Sequence, residues 1–401
     1  MHALLRNKLL VVTYVLTMLY ALHYAIPIYA TSSFLHTYFD SPIVSALYVL
    51  ASISALFASM SIAKSIRKFH TYSFTFFLVI AEIISTIAFS ITDNIYIVAI
   101  FFVIHFTLQV LLYVCLNVFI ESFSKHAQTS SIRGVFLTIY NLGILMSPLI
   151  GGLILSTFSF KVLYIVASLT LIPFLYFLHR YLEHIREPAY HSIDIWGALH
   201  QVFKNKTLRV VITTEVLVQS FYSVMVIYSP IYLATIGVPL TTYMSYILPI
   251  ALIPLVVLPF EIGFLAESKF SGKSILLFGL GLLVITTFLC VIVRTPDPRV
   301  WTLIFVISRI GAACVETMSF AFYFKKVGPE DASLTALFSN AYGIATIIVG
   351  TGIFLISPLL VERPQLVFVV LGLVLLWSMS LVIPLKEINH HHNHQTPPLP
   401  H

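Results

Sequence analysis

Charge is scarce in this chain. Asp, Glu, Lys and Arg make up 9% of its 401 residues, where a soluble domain carries roughly 25%. Hydrophobic residues make up 59% and the mean hydropathy is +0.98. No water-soluble fold of this length buries that much apolar surface, so the composition demands lipid as solvent. Cysteine is scarce as well. Cys115, Cys290 and Cys314 are odd in number and sit inside apolar runs, which excludes a disulfide framework and leaves them as small core side chains. A phosphate loop is also lacking: Gly272-Lys273-Ser274 mimics its end, but the earlier glycine it needs is Glu267, so ATP-driven pumping within the chain is not expected. No catalytic triad, metal constellation or soluble catalytic domain is visible. The expectation is a non-enzyme without a cofactor.

What is present is a series of long apolar runs, and about 20 apolar residues span a bilayer as helix. Twelve can be drawn, at roughly 9–30, 42–63, 71–91, 95–120, 134–156, 162–180, 210–235, 241–262, 274–293, 300–324, 333–357 and 364–384. The basic residues set the orientation. With both termini cytoplasmic, only Lys161, Arg294, Arg299 and Arg363 fall outside, and Arg309 lies within a run. The net charge of +6 then follows from membrane orientation and is no nucleic-acid footprint. The first run has no small-residue cleavage site and reads as a retained helix.

The same three residues, Pro-Ile-Tyr, stand at 27–29 and 230–232, 203 residues apart. Ala63 recurs as Ala266 at the same offset; Ser131, Phe136 and Tyr140 recur one residue closer as Ser333, Phe338 and Tyr342. Parallel halves of this kind are a building plan of secondary transporters, with the substrate site between them. The reading divides the chain into a six-helix half at 1–181, a cytoplasmic connector at 182–208 with a short amphipathic helix near Ile193–Phe203, a second half at 209–386, and a His- and Pro-rich tail at 387–401. The tail composition is that of disorder, and it lacks the second ligand set a metal site needs. Asn205-Lys206-Thr207 matches a glycosylation sequon on the cytoplasmic side and reads as chance.

The fifth run opens on a spaced set of small residues: Gly134, Gly143, Ser147-Pro148 and Gly151-Gly152. This resembles the antiporter motif of the major facilitator superfamily, differing at one fixed position, where Ser147 replaces a glycine. Small residues on one face let a neighbouring helix approach closely, and Pro148 removes a backbone hydrogen bond within the bundle. A second resemblance lies in the loop after the eighth run, where Gly263, Leu265, Ala266, Glu267, Lys269 and Lys273 resemble the basic gating loop of that superfamily. The first half departs from it, with Lys64 at the acidic position, followed by Arg67 and Lys68. A sign-swapped pair of Lys64 with Glu121 is one alternative; solvated loop charges are the other. Members related to drug/proton antiporters carry an Arg followed closely by Gln-Gly in helix 4, whereas this run has His105 and Gln109 and no Arg. The resemblance implies an all-α integral membrane protein, with twelve transmembrane helices in two pseudo-symmetric six-helix bundles.

In that superfamily helices 1, 4, 7 and 10 line the central cavity. The polar intramembrane residues of this chain collect on the same runs: Tyr14, Tyr20, His23 and Tyr24; His105, Gln109, Tyr113 and Asn117; Glu215, Gln219, Tyr222 and Ser223; Arg309 and Glu316. A charge in hydrocarbon costs several kcal/mol, so each must face protein or water. The expected substrate and proton cavity is therefore Tyr20, Tyr24, His105, Gln109, Glu215, Gln219, Tyr222, Arg309 and Glu316. Packing roles are the alternative for each: an interhelical ion pair for Arg309 and Glu316, a hydrogen-bonded core histidine for His105, and a contact with the connector for Glu215. Glu82 lies deep in the third, peripheral run, and the sequence leaves open whether it faces the cavity.

The expected function is alternating access, with protons as coupling ion and export of a small amphipathic molecule. A cavity acid (Glu316 or Glu215) would exchange its proton with substrate while Arg309 tunes it. Import of a sugar, organic acid or other nutrient is the alternative, and a non-transporting receptor or assembly module a further one. The setting is a bacterial-type plasma membrane, crossed many times. The partners are lipid and a small-molecule substrate, with no nucleic acid and a monomeric chain.

Overall fold

The computed structural model describes residues 8–123, 129–183, 195–268, 270–324, 326, 327, 334, 337, 338 and 340–384. Regular structure among them is helical throughout. The apolar runs become α1 (Lys8–His36), α2 (Ser41–Phe69), α3 (Thr71–Ile91), α4 (Ile95–Phe123), α5 (Thr129–Thr157) and α6 (Phe160–Leu182) in the first half. The second half holds α7 (Lys206–Thr235), α8 (Leu240–Ala266), α9 (Gly272–Ile292), α10 (Pro298–Phe324), α11 (Ala341–Glu362) and α12 (Leu366–Val382). Among the described residues, eleven of these are long and apolar enough to cross a bilayer, and α12 adds a shorter apolar helix of 17 residues. Several helices begin earlier or end later than the apolar runs, because amphipathic turns extend them beyond the hydrocarbon. The connector forms a helix over Ile195–Lys204, with Ala198 and Val202 buried and His200, Gln201 and Phe203 exposed. Ile193, the rest of the connector from 184 to 194, and the tail lie outside the described residues.

Packing repeats as the sequence does. α1 packs on α5 as α7 does on α11; α3 packs on α4 as α9 does on α10; α2 packs on α4 as α8 does on α10; α3 and α6 meet as α9 and α12 do. The halves touch along α2–α11 and α5–α8. Glycines make both crossings close. A Cβ on Gly350 of α11 would lie 2.6 Å from Val49 of α2. One on Gly152, near the end of α5, would lie 2.7 Å from the backbone N of Ser245, in the first turns of α8. Odd-numbered helices run away from the end at which α1 begins, so the α5–α8 crossing closes the far end of the cleft. Toward the near end, Gly263 of α8 and Gly343 of α11 have open space where a Cβ would stand.

Prolines shape the second half. Pro230 and Pro249 cannot donate a backbone hydrogen bond, and each follows closely on a π turn, Val224–Tyr228 in α7 and Tyr243–Ile247 in α8. The wider turn absorbs the missing bond without breaking the helix. Between α2 and α3 a single residue, His70, carries the chain at φ 64 and ψ 148. This is a region that glycine occupies far more readily.

Candidate functional site

A narrow cleft with a volume of about 30 Å³ lies between the halves, with Tyr24, Tyr48, His105 and Gln109 on one wall and Val226 and Tyr342 on the other. Tyr20 stands behind Tyr24, their rings stacked at 6.1 Å. It also approaches Tyr113 and Tyr140, at 6.2 and 6.3 Å between centroids. The Tyr20 hydroxyl donates to the Gln109 carbonyl at 2.7 Å, tying α1 to α4. The aromatic wall expected from α1 is thus a tyrosine cluster, with Tyr24 at the cleft and Tyr20 in the core.

Behind that wall sits a buried trio from three helices: His23 of α1, Glu82 of α3 and His105 of α4, at 0%, 0% and 3% exposure. Glu82 turns inward from its peripheral helix. One of its oxygens, Oε1, lies 2.7 Å from His23 Nε2 and 2.7 Å from His105 Nδ1. Ser85 donates to the other oxygen, and Thr86 donates to Oε1, both at 3.3 Å. His23 Nδ1 faces the Ala167 carbonyl at 3.0 Å. A carbonyl only accepts, so this nitrogen carries hydrogen. Thr86 gives its hydrogen to Glu82, so its oxygen accepts from His105 Nδ1, 2.9 Å away. That assigns His105 the Nδ1–H tautomer. One further proton must lie between His23 Nε2 and Glu82. With it the trio is neutral overall, as an ion pair or as a carboxylic acid; without it a bare negative charge would stand in a dry core. Two ligands of one tetrahedral metal ion at about 2.1 Å would be ~3.4 Å apart. The three ligand atoms lie within 4.8 Å of one another, as those of a metal site can, while the 2.7 Å contact of His23 with Glu82 is that of a hydrogen bond.

The second half carries a different constellation. Glu215, Gln219 and Tyr222 stand at successive turns on one face of α7, which packs against α10. Gln219 Nε2 donates to Glu215 Oε1 at 2.8 Å, and the Tyr222 hydroxyl donates to Glu316 Oε2 at 3.0 Å. Glu215 is 2% exposed, and its Oε2 has no hydrogen-bond partner. It does not snorkel to the surface. Arg309 is 1% exposed, and its Nε and Nη1 lack any hydrogen-bond partner. Its guanidinium carbon lies 5.3 Å from the centre of the Phe221 ring and 5.6 Å from that of Tyr222. Among the described residues no direct ion pair joins Arg309 to Glu316. The two lie two turns apart on α10, about 10 Å along its axis, and Tyr222 stands between them.

The small-residue motif of α5 meets two helices. A Cβ on Gly143 would lie 2.5 Å from the Cβ of Ala21 in α1, and one on Gly151 would lie 2.7 Å from the Ile26 carbonyl. Gly152 carries the contact with α8 described above. Ser147 folds its hydroxyl back onto the Gly143 carbonyl at 2.6 Å, and α5 continues through Pro148. The surroundings of Gly134 lie outside the described residues. The residues expected in gating loops are helical: Lys64, Arg67 and Lys68 are exposed in the last turns of α2, and Gly263 lies within α8, unobstructed. Lys269 and the side chains of Glu121 and Glu267 fall outside the described residues.

Sequence reasoning placed His105 in the site and listed His23 on the cavity helix, but did not join them through Glu82. The signal was available: three ionisable residues in three apolar runs, each too costly to leave alone in lipid.

The sequence pattern of the Major Facilitator Superfamily matches residues 9–350. No curated protein matches the chain. Among solved structures, it is similar to the nucleoside transporter NupG, with a TM-score of 0.73, 14% identity, and coverage of 93% of this chain and 99% of that one. It is also similar to a bacterial homologue of the human lysosomal transporter Spinster in an inward-facing and occupied conformation (TM-score 0.71, 12% identity, covering 94% and 96%). A third is a POT family transporter in complex with 5-aminolevulinic acid (TM-score 0.72, 14% identity, covering 94% of each chain).

Proposed function

Because the chain belongs to the major facilitator superfamily, a non-enzymatic family of secondary transporters, we propose that it couples proton movement to export of a small amphipathic molecule through the cleft between its halves. The observation that carries proton coupling is the His23–Glu82–His105 trio, which holds one proton in a dry core while His105 reaches the cleft wall. A group so placed gains or loses its proton as the cleft fills and empties. The coupling acid sought in Glu316 or Glu215 is on this reading Glu82. The other two acids, Glu215, buried on α7, and Glu316, half-buried on α10, do not line the cleft.

Export is supported by the small-residue motif of α5, whose glycines seat α1 and α8 at a close, slippery crossing. With both termini in the cytoplasm of a bacterial-type cell, the close α5–α8 crossing lies toward the outer end. Import is a second reading, favoured by the absence of the antiporters' Arg from α4, where His105 and Gln109 stand instead.

The test is substrate-driven pH change in proteoliposomes containing an interior pH dye, with cationic drugs, sugars and organic acids as candidates. Proton movement opposite to substrate, lost in Glu82→Gln and kept in Glu316→Gln, supports the reading. Loss in Glu316→Gln alone returns the coupling acid to α10. Movement of proton and substrate together makes the chain an importer, and no movement with any compound in folded protein refutes proton coupling.

A further inference from the structure

We propose that Arg309 is the binding group for a carboxylate on the transported molecule, so that the substrate is an amphipathic monoanion. The inference rests on the reading of the cleft as a substrate pathway, and it adds the chemical class. Arg309 is the odd group in the second half. A guanidinium is charged at every physiological pH and offers five N–H donors in a rigid fork. In this core its Nε and Nη1 donate to nothing, and the groups it meets are the faces of Phe221 and Tyr222. Stacking on rings satisfies the faces of the guanidinium and leaves the Nε and Nη1 N–H donors, which point outward from its rim, unsatisfied. Nearly all buried polar groups find partners, and an orphan of this cost asks for a ligand.

The surroundings define that ligand. Phe305 lies one turn from Arg309 and meets Tyr243, whose ring in turn meets Tyr29 of α1, at 6.0 and 6.4 Å. The guanidinium is therefore close to the seam between the halves, among aromatic rings that favour a flat or apolar body. No second Lys or Arg lies in the described parts of α1, α4, α7, α10 or α11 near its level. One fixed positive charge in a low-dielectric core balances a monoanion; a phosphate dianion would bring an uncompensated charge with it. Tyr222 is the cover. It is half-buried, its ring lies over the guanidinium, and its hydroxyl is held by Glu316. An anion reaches Arg309 when that side chain turns aside, which frees Glu316 at the same time.

The experiment measures melting of the purified full-length chain in nanodiscs at fixed pH, without any gradient. The probes are phenylacetate and hexanoate, their amides, phenethylamine and benzyl phosphate. The two carboxylates are expected to raise the melting temperature and the amides and amine to leave it unchanged. Arg309→Met is expected to weaken the apparent carboxylate affinity about 10- to 100-fold, the loss of one or two charge-assisted hydrogen bonds. Arg309→Lys should recover part of it. Should Arg309→Met fail to fold, Arg309→Gln serves: it keeps neutral amide donors without the charge, and should weaken the response to both acids by about the same factor. The proposal is overturned if neither carboxylate stabilises the wild-type chain, if the amides do so equally, or if Arg309→Met or Arg309→Gln responds as the wild type does. A larger effect of benzyl phosphate overturns the monocarboxylate. No proton gradient enters, so failure of proton coupling leaves this result intact, and the reverse.

Discussion

Replacing Glu82 with glutamine perturbs the proton-holding trio with the least change of shape. In the native arrangement Oε1 is hydrogen-bonded to His23 Nε2 at 2.7 Å and lies 2.7 Å from His105 Nδ1, whose hydrogen it shares with Thr86, and one labile proton is shared with His23. Glutamine has no such proton. It can satisfy both rings only by presenting its amide N–H groups to them, donating to His23 Nε2 and to His105 Nδ1. His105 must then move its hydrogen to Nε2, and Thr86 must donate to a different acceptor. Two charge-assisted bonds worth about 1.5–3 kcal/mol each become neutral ones worth about 0.5–1.5. The stability lost is therefore about 2.5 kcal/mol. Glu82→Ala removes every partner and opens a cavity, which costs at least as much as breaking a buried pair, about 3–5 kcal/mol. Melting in nanodiscs should rank wild type above Glu82→Gln and Glu82→Ala lowest. In proteoliposomes Glu82→Gln should exchange substrate at equal pH on both sides and show no substrate-driven pH change. A folded Glu82→Gln chain with wild-type proton movement would refute the reasoning, since no proton would then be needed at this position.

Gly152→Val places a branched side chain where a Cβ already stands 2.7 Å from the backbone N of Ser245. Backbone cannot swing away, so α5 and α8 must separate, at about 1–3 kcal/mol; labelling of a Ser245→Cys reporter by a membrane-impermeant maleimide should rise, and unchanged labelling would count against the crossing as the far-end closure. His70→Gly relieves a conformation costing about 1–3 kcal/mol; the melting temperature should rise, and a fall would show that the histidine side chain contributes more than the strain it carries. Tyr222→Phe removes the hydroxyl that holds Glu316 at 3.0 Å; binding of phenylacetate should persist or tighten, and its loss would make the tyrosine a ligand instead of a cover.

The fold was legible because lipid leaves few choices. Apolar length gives spans. A repeat as slight as Pro27-Ile28-Tyr29 and Pro230-Ile231-Tyr232 pairs the two halves, whose helix contacts repeat in the structure. The small residues from Gly143 to Gly152 were legible as a packing face, but their partners, Ala21, Ile26 and Ser245, were not. A helix face says that something approaches closely without saying what. The acids divided in the same way. Glu215 and Gln219, four residues apart on one helix, were readable as neighbours and are hydrogen-bonded. Glu82 was not readable, because its partners lie on two other helices and helical periodicity carries no information between elements.

The π turns were likewise hidden, although each has a sequence cause in the proline that follows it. They bear on the site because the turn over Val224–Tyr228 begins just after Tyr222, and Val226 within it reaches the cleft. A helix wound with one extra residue per turn is locally looser, and its side chains are rotated from the register that the preceding turns set. The face carrying Glu215, Gln219 and Tyr222 is therefore free to shift against the part of α7 beyond Pro230. Tyr222, at that junction, is bonded to Glu316 and stacked on Arg309, so a change in winding there would move both contacts together. In the first half the corresponding proline, Pro27, lies inside an uninterrupted α1, and the trio beside it is hydrogen-bonded across three helices. The two halves thus differ: the first satisfies its buried His and Glu groups across three helices, and the second leaves Arg309 Nε and Nη1 without hydrogen-bond partners.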